Sequence, residues 1–426
     1  MFEINSLIKK IETNKGNFIY DSVMNVLSPE SDFAETHSIS QFNIKYYLTK
    51  EELSWKIRHA QSMLTISLTE RCNLRCEYCG YHNKYANKEY KYCDISIEQA
   101  LAAVEMFLDS TKAIETPSIS FYGGEPLLKF DIIQNVVEFC KKIFPFKKIE
   151  FSLTTNGVLL AYPNILEFLV AHNFFVTISL DGPKHIHDRY RIDIFGNPTF
   201  EKIEENLRLL QKSHPSYYEN NISINTVMAP PVDLISISEF FKAKKLDKVN
   251  YINLMETEYF KTNYVKSEQV NANPTLLNAL MKSAYMGTLK KYCNLVPNIN
   301  LDTYVFPGGM CIPGVRRNFI HSDGRIILCE KVSEQDDQYN LGTVTHGVDV
   351  EKIWKLIKKT EKIAISRCSS CWAIRFCNRC FLDFFDEDAN KCKIAKDVVY
   401  RDIKYYIENI MFDVEEKRKL ENMVSY

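Results

Sequence analysis

The chain has 426 residues, 46% of them hydrophobic and 25% charged, and a formal net charge of −1. That is enough apolar material for a large core and for two or three domains. The near-neutral balance gives no electrostatic case for a nucleic-acid or acidic-membrane partner. The opening Met-Phe-Glu-Ile-Asn-Ser has no basic region ahead of an apolar core, and the apolar run 165–180 is broken by Glu167, His172 and Asn173. A cytoplasmic protein without a membrane span is therefore expected. In a reducing compartment its thirteen cysteines read as metal ligands before disulfides.

Residues 1–61 are weakly patterned, with a short strand at 17–21 and a helix at 50–60, too little for an independent core. From 62 to 255 two periodicities alternate. Strand-like segments fall at 63–69, 118–122, 149–155, 175–180, 222–228 and 249–254. Helical patterns lie between them at 96–109, 131–144, 162–172, 200–213 and 234–245. Such alternation predicts βαβ units and a parallel sheet. The expected fold class is α/β, a partial (β/α)6 TIM-like barrel in preference to an open doubly wound sheet, followed by a small cysteine-rich C-terminal domain.

The first strand runs into Cys72-Asn-Leu-Arg-Cys76-Glu-Tyr-Cys79. Parallel α/β folds place their chemistry at such strand ends. Three thiols this close can curl round one metal centre but supply only three ligands. A closed zinc site needs a fourth, for which His82 is near, whereas an iron–sulfur cube on three thiolates leaves one iron open. Accidental clustering is the remaining reading. Three further strand ends carry turn-forming residues: Phe121-Tyr-Gly-Gly-Glu-Pro126, Thr154-Thr-Asn-Gly157 and Ser179-Leu-Asp-Gly-Pro183. Each alone is a turn, but together on one rim they predict a shared pocket.

Residues 256–305 form a more polar bridge. A hairpin turning at Asp323-Gly324 is expected inside 320–329. The cysteine-rich stretch spans 306–393, with two C-x2-C pairs, Cys368/Cys371 and Cys377/Cys380, and then Cys392. Zinc-ribbon spacing is the alternative there. A charged surface helix is expected within 394–426. Cys140 reads as a core residue of an amphipathic helix, and Cys93 as a loop thiol.

Taken together, Cys72-x3-Cys76-x2-Cys79 with Tyr78 before the last cysteine, and the Gly123-Gly124-Glu125 run, resemble the signatures of radical S-adenosylmethionine (SAM) enzymes. Cys311-x12-Gly324-x4-Cys329, then Cys368-x2-Cys371-x5-Cys377, Cys380 and Cys392, resemble the SPASM extension of that superfamily, although Cys377-x2-Cys380 is one residue short of its pattern. The resemblance implies a [4Fe–4S] cluster on Cys72, Cys76 and Cys79 whose open iron binds SAM. It implies Gly123, Gly124 and Glu125 at the methionine ammonium, Ser179 and Asp181 at the ribose, Arg191 at the carboxylate and Tyr78 on the adenine side. It also implies two auxiliary [4Fe–4S] clusters. Cys368, Cys371, Cys377 and Cys392 would hold one, and Cys311, Cys329 and Cys380 the other, which is completed by Cys293 or left with an open iron.

The motif wording is most similar to the branch that modifies peptides and proteins. The expected activity is hydrogen abstraction from a precursor peptide, with thioether crosslinking of a ribosomally made peptide favoured. Formylglycine formation in a sulfatase, epimerisation and carbon–carbon crosslinking are the enzymatic alternatives, and a multi-cluster electron carrier is the non-enzymatic one. A reducing partner such as flavodoxin or ferredoxin is expected. Residues 1–61 are an expected peptide-recognition element, for which strand addition at a sheet edge would suffice.

Overall fold

Alternating small polar and branched apolar residues give the strands two chemically different faces, and that difference organises the molecule. The computed structural model describes residues 6–79, 92–229, 231–246, 248–253, 270–271, 304–307, 313–332, 334, 336–377, 379–380, 384–385 and 389–413. The chain divides into two compact units: Leu53–Asn278 with Pro313–Lys352, and Met1–Glu52 with Ala279–Ile312 and Ile353–Tyr426.

The smaller unit opens on an antiparallel sheet of β1 (Ile8–Thr13), β2 (Gly16–Asp21) and β3 (Val26–Pro29). Helix α1 (Lys50–His59) crosses the boundary between the units.

In the larger unit, β4 (Met63–Thr69), β5 (Ser118–Gly123), β6 (Glu150–Thr155), β7 (Phe175–Ser179), β8 (Ile222–Met228) and β9 (Val249–Asn253) are all parallel. Between them lie α2 (Ile97–Asp109), α3 (Phe130–Ile143), α4 (Pro163–Ala171), α5 (Phe200–Ser213) and α6 (Leu234–Ala243). The six strands stand side by side in sequence order with no reversal. Right-handed crossovers in unbroken order put every helix on one face, which is the wound (β/α)6 partial barrel and not the doubly wound sheet.

Sequence chemistry dictates which face the helices cover. Leu64, Ile66 and Leu68 of β4, Ile119 and Phe121 of β5, Leu153 of β6, Val176 and Ile178 of β7 and Ile224 of β8 are buried. They share one face by the period of two. The stacked rings of Phe121, Phe151 and Phe174 lie there, with Phe151 and Phe174 centroids 5.4 Å apart and Phe121 and Phe174 6.1 Å apart. The opposite face carries Thr65, Ser67, Ser120, Ser152, Thr154, Thr177, Ser179 and Ser223. Parallel sheets covered on both sides are apolar on both, so this polar face is the inner one of an open barrel. Helix α2 starts with a capping box, Ser96 Oγ accepting from Gln99 N at 3.2 Å and Gln99 Oε1 accepting from Ser96 N at 3.1 Å.

Beyond β4 the sheet continues into β10 (Arg317–Ile320), β11 (Arg325–Ile327), β12 (Asn340–Thr343) and β13 (Gly347–Val348). Strand β10 pairs parallel with β4, and the hairpin expected at Asp323-Gly324 joins β10 to β11. This departs from the expectation of one cysteine-rich domain over 306–393. Residues 313–352 are part of the barrel unit because strand pairing, a non-local contact, claims them.

In the smaller unit, α7 (Val350–Cys368), whose first residues belong to the barrel unit, and α8 (Ala389–Asn409) complete the named elements. Expected as a surface helix, α8 buries Val399, Ile403, Tyr406 and Ile407 against Ile11, Phe18 and Tyr20 of the N-terminal sheet. Those positions recur at helical spacing, so one stripe is core and the rest faces water. Residues 1–61 therefore do not form a free-standing element. Their first part shares a core with the C-terminal helix.

Phe174 is fully buried against three phenylalanine rings, so Phe174→Ala is expected to cost about 3–5 kcal/mol. Urea unfolding of the purified chain would measure the loss.

Candidate functional site

The site begins where β4 ends. Gly124 N donates to Thr69 O at 2.7 Å and Glu125 N to Arg71 O at 2.9 Å, so the end of β5 is clamped to the root of the cysteine loop. A Cβ on Gly123 would stand 2.4 Å from Thr69 O, and one on Gly124 2.3 Å from Arg71 O. Gly123 also has φ of +125°, which favours glycine. The close approach that demands these glycines is thus to the cysteine loop itself. The Glu125 carboxylate is fully buried and accepts from Leu127 N at 3.1 Å, Thr155 Oγ1 at 2.8 Å and Asn156 N at 2.8 Å. A carboxylate has about four acceptor sites, leaving one for a further donor. Burial pushes this carboxyl up to about 7, against the pull of those hydrogen bonds.

The loop's far side is held by the segment after β7. Arg75 N donates to Ile192 O at 2.7 Å and Glu77 N to Tyr190 O at 2.9 Å. Cys72, Cys76 and Cys79 pack round one small cluster with Leu74, Tyr78, Tyr190 and Ala229. Asn156 Nδ2 lies 2.7 Å from Asn73 Oδ1 and 3.8 Å from Cys72 Sγ. Burial pushes the Cys72 thiol up to about 12 and Cys76 to about 11. Such thiols do not ionise alone at neutral pH. A cationic metal centre supplies the missing stabilisation, so the donor set fits a metal centre.

Under the loop lies a buried chain of polar groups. The Tyr78 hydroxyl donates to Asp181 Oδ2, and Arg191 Nη1 donates to the Tyr78 oxygen at 2.8 Å. Asp181 Oδ1 accepts from Val227 N at 3.0 Å. Burial raises the Asp181 carboxyl while Arg191 pulls it down. Burial works against the charge on Arg191, but Cys76, Tyr78 and Asp181 outweigh it. Arg191 Nε is buried with no hydrogen-bond partner, which leaves one guanidinium donor for an anionic group. His187 sits beneath, held neutral by burial and by Arg191, accepting from Asp181 N at 3.4 Å.

Of the residues predicted from sequence, Tyr78, Gly123, Gly124, Glu125, Asp181 and Arg191 converge on the cysteine loop. Ser179 ends β7, half-buried on the polar face. Cys368, Cys371, Cys377 and Cys392 line one cavity. Cys293 and Cys311 lie outside the described residues. Cys329 belongs to the barrel unit and Cys380 to the other. Sequence reading missed Arg379, whose Nη1 donates to Cys392 Sγ at 2.8 Å, although its place between two paired cysteines was a signal. It gave no role to His187, although that residue stands in the motif-like run from Ser179 to Arg191, nor to the 190–192 backbone, which carries no side-chain signal.

The fold and this loop define a class. Residues 66–243 match the Radical SAM superfamily, so the chain contains a radical SAM domain. Among its relatives is the cysteine-type anaerobic sulfatase-maturating enzyme of Clostridium perfringens, 25% identical over 82% of this chain and 94% of that one. The radical SAM cyclopropyl synthase TigE of Paramaledivibacter caminithermalis is 29% identical over 39% of this chain and 35% of its own. Native anSMEcpe with bound AdoMet and Cp18Cys peptide shares the fold at a TM-score of 0.59 and 22% identity, over 85% of this chain and 100% of that chain.

Gly124→Ala should force the cysteine loop off β5, since backbone at 2.3 Å cannot yield. Expected is a loss of at least about 2 kcal/mol and an iron content lowered by about one cluster per chain, measured by iron and sulfide analysis after anaerobic reconstitution.

Proposed function

We propose that this enzyme modifies a peptide or protein, with Cys72, Cys76 and Cys79 holding its SAM-binding [4Fe–4S] cluster. The buried Tyr78–Asp181–Arg191 chain, which starts in the cysteine loop at Tyr78 and brings Arg191 near Cys76, is the observation that carries the assignment. When bound, cluster and SAM together supply a 5′-deoxyadenosyl radical able to remove hydrogen from an unactivated C–H bond. The chain's own work is positioning and exclusion of water. Arg191 is suited to the methionine carboxylate, since its charge is fixed and one donor is unspent. Gly123, Gly124 and the remaining acceptor site of Glu125 suit the ammonium. Asp181 and Ser179 suit the ribose hydroxyls, and Tyr78, fixed from both sides by Asp181 and Arg191, shapes the adenine side.

The hydroxyl-lined inner face of the barrel supports a peptide substrate, because amides need partners that apolar walls lack. Cys368, Cys371, Cys377 and Cys392 are proposed to hold an auxiliary cluster, with Arg379 compensating its charge. A flavodoxin or ferredoxin is the proposed electron source, in the cytoplasm. Among the described residues, no helix is long and apolar enough to cross a membrane.

The product we favour is a thioether crosslink in a ribosomally made peptide. A second reading, formylglycine formation in a sulfatase, is favoured by the similarity that extends along 94% of the C. perfringens relative. Mass spectrometry separates them: a crosslink removes a hydrogen pair and a thiol without creating an aldehyde, whereas formylglycine reacts with a hydrazide.

Cys76→Ala should abolish dithionite-dependent formation of 5′-deoxyadenosine. Arg191→Lys should keep the iron and raise the KM for SAM about tenfold or more, the lost contact being worth about 1.5–3 kcal/mol. Cys371→Ala should still cleave SAM yet yield no modified peptide. Cleavage at the full rate by Cys76→Ala would refute the assignment.

A further inference from the structure

One side chain at the end of β4 plays no part in the cysteine loop. Glu70 is buried, its Oε2 accepting from Cys93 N at 3.0 Å. It faces His321, just past β10, and Glu334, between β11 and β12. His321 Nε2 stands 3.3 Å from Glu70 Oε1 and 3.2 Å from Glu334 Oε2. The His321, Glu70 and Glu334 side chains are only 4%, 3% and 10% exposed. Their ligand atoms all lie within 4.8 Å of one another. On the ring's other side Nδ1 is 3.0 Å from Asp323 Oδ1, and Asp323 is held in turn by Arg325 Nε at 2.8 Å and Nη2 at 2.7 Å.

An imidazolium clamped between carboxylates and a neutral imidazole sharing a cation with them would both bring these groups together. The orientation of the ring separates the two. Although two carboxylate oxygens are within reach, buried Nε2 makes an aligned hydrogen bond with neither. A protonated Nε2 would turn its N–H toward one of them. A lone pair directed at a third body between them would not. At Nδ1 the nearest group is the Asp323 carboxylate, 3.0 Å away, with Asp323 N at 3.4 Å; a proton on Nδ1 would face that carboxylate and leave the lone pair on Nε2. Metal-ligating histidines are oriented in the same way. Two buried carboxylates this close are costly unless a cation lies between them. Without an ion the imidazolium is that cation: burial works to lower its pKa, but Asp323, Glu334 and Glu70 hold it up to about 11. A bound dication would take over that role and leave the histidine neutral.

We propose that Glu70, His321 and Glu334 form a mononuclear site for a divalent first-row transition ion, distinct from the cysteine sites. One imidazole nitrogen with carboxylate oxygens suits zinc, manganese or iron(II). Magnesium and calcium favour all-oxygen sets. The ion would tie the root of the cysteine loop to the β10–β11 hairpin, joining two segments some 250 residues apart (Glu70 and His321). The site would thus stabilise the root of the loop, and it stands whatever substrate the enzyme takes.

The test uses the full-length protein with its iron–sulfur clusters installed, stripped of loose metal by a chelator and kept anaerobic. Manganese(II) is the probe because carboxylates accept it readily and thiolates do not compete for it. Titration followed by the electron paramagnetic resonance of free manganese should show saturable uptake of one ion per chain, displaced by zinc. Glu334→Gln, nearly the same shape, should weaken uptake at least tenfold with sulfide content unchanged, and Asp323→Asn should weaken it by about 10–100-fold. His321→Ala should abolish it, and if that variant does not fold, the Glu334→Gln comparison decides. Absence of saturable manganese or zinc uptake by the wild-type protein overturns the proposal in favour of an imidazolium clamp, as does uptake that Glu334→Gln leaves unchanged.

Discussion

The end of β5 is bonded, backbone to backbone, to the end of β4, and the rest of the site hangs from that contact. Gly124 N and Glu125 N reach Thr69 O and Arg71 O, a distance that no side chain at Gly124 would permit. The Glu125 carboxylate then extends the clamp to β6 through Thr155 and Asn156. Burying an ion costs several kcal/mol unless it is well satisfied, and Leu127 N, Thr155 Oγ1 and Asn156 N offset part of that cost here. The consequence is mutual dependence. The glycine pair sets where the cysteine loop leaves the sheet, and Asn156, fixed by Glu125 through its own N–H, reaches across to Asn73 and Cys72. Gly123-Gly124-Glu125 therefore builds the loop before it can meet any ligand.

The second constraint is the unequal chemistry of the two sheet faces. Leucine, isoleucine, valine and phenylalanine on one face take the helices. Threonine and serine on the other leave the inner face hydrophilic, where Thr177 Oγ1 and Ser223 Oγ pair at 2.8 Å and Arg317 Nε donates to Thr65 Oγ1 at 2.9 Å. Filling that face with branched side chains would have closed the barrel as a packed core. Hydroxyls on neighbouring strands instead keep a polar wall that begins beneath the cysteine loop and continues onto β10. Arg317 marks the point where the added hairpin becomes part of the same wall.

What the sequence made legible was whatever is written in local periodicity. The six parallel strands and the five longer helices between them follow from apolar spacing, and the partial barrel from the number of strands. The rim residues were legible because Asp181-Gly182 and Asn156-Gly157 punctuate strand ends. Pairing between distant segments left no such trace. Nothing local in Arg317–Ile320 says that it joins β4, so residues 313–352 were assigned to the wrong side of a domain boundary. The stripe of Val399, Ile403 and Ile407 announced an amphipathic helix, but not that β1 and β2 would cover it. Glu125 was read by its motif as a ligand-facing carboxylate, while its principal bonds are to its own chain. Glu70, His321 and Glu334 are too far apart in sequence for spacing to suggest a cluster.

In both units a buried arginine stands by thiols proposed to hold an iron–sulfur cluster. Arg191 stands near Cys76, and Arg379 donates to Cys392; both guanidiniums are buried. Thiolate-bound iron–sulfur centres carry negative charge, which low-dielectric surroundings make costly. A buried lysine or histidine would answer that charge only over part of the pH range, since burial shifts its protonation. Arginine keeps its charge throughout, so the compensation does not switch off. His187 shows the complementary choice. Kept neutral, it accepts from Asp181 N through Nδ1 and places Nε2 3.1 Å from Thr199 Oγ1, which in turn donates to Arg191 O at 2.8 Å. The neutral ring fixes the backbone of both Asp181 and Arg191 while adding no charge that would compete with the guanidinium, and the geometry of the chain beneath the loop is thereby separated from its electrostatics.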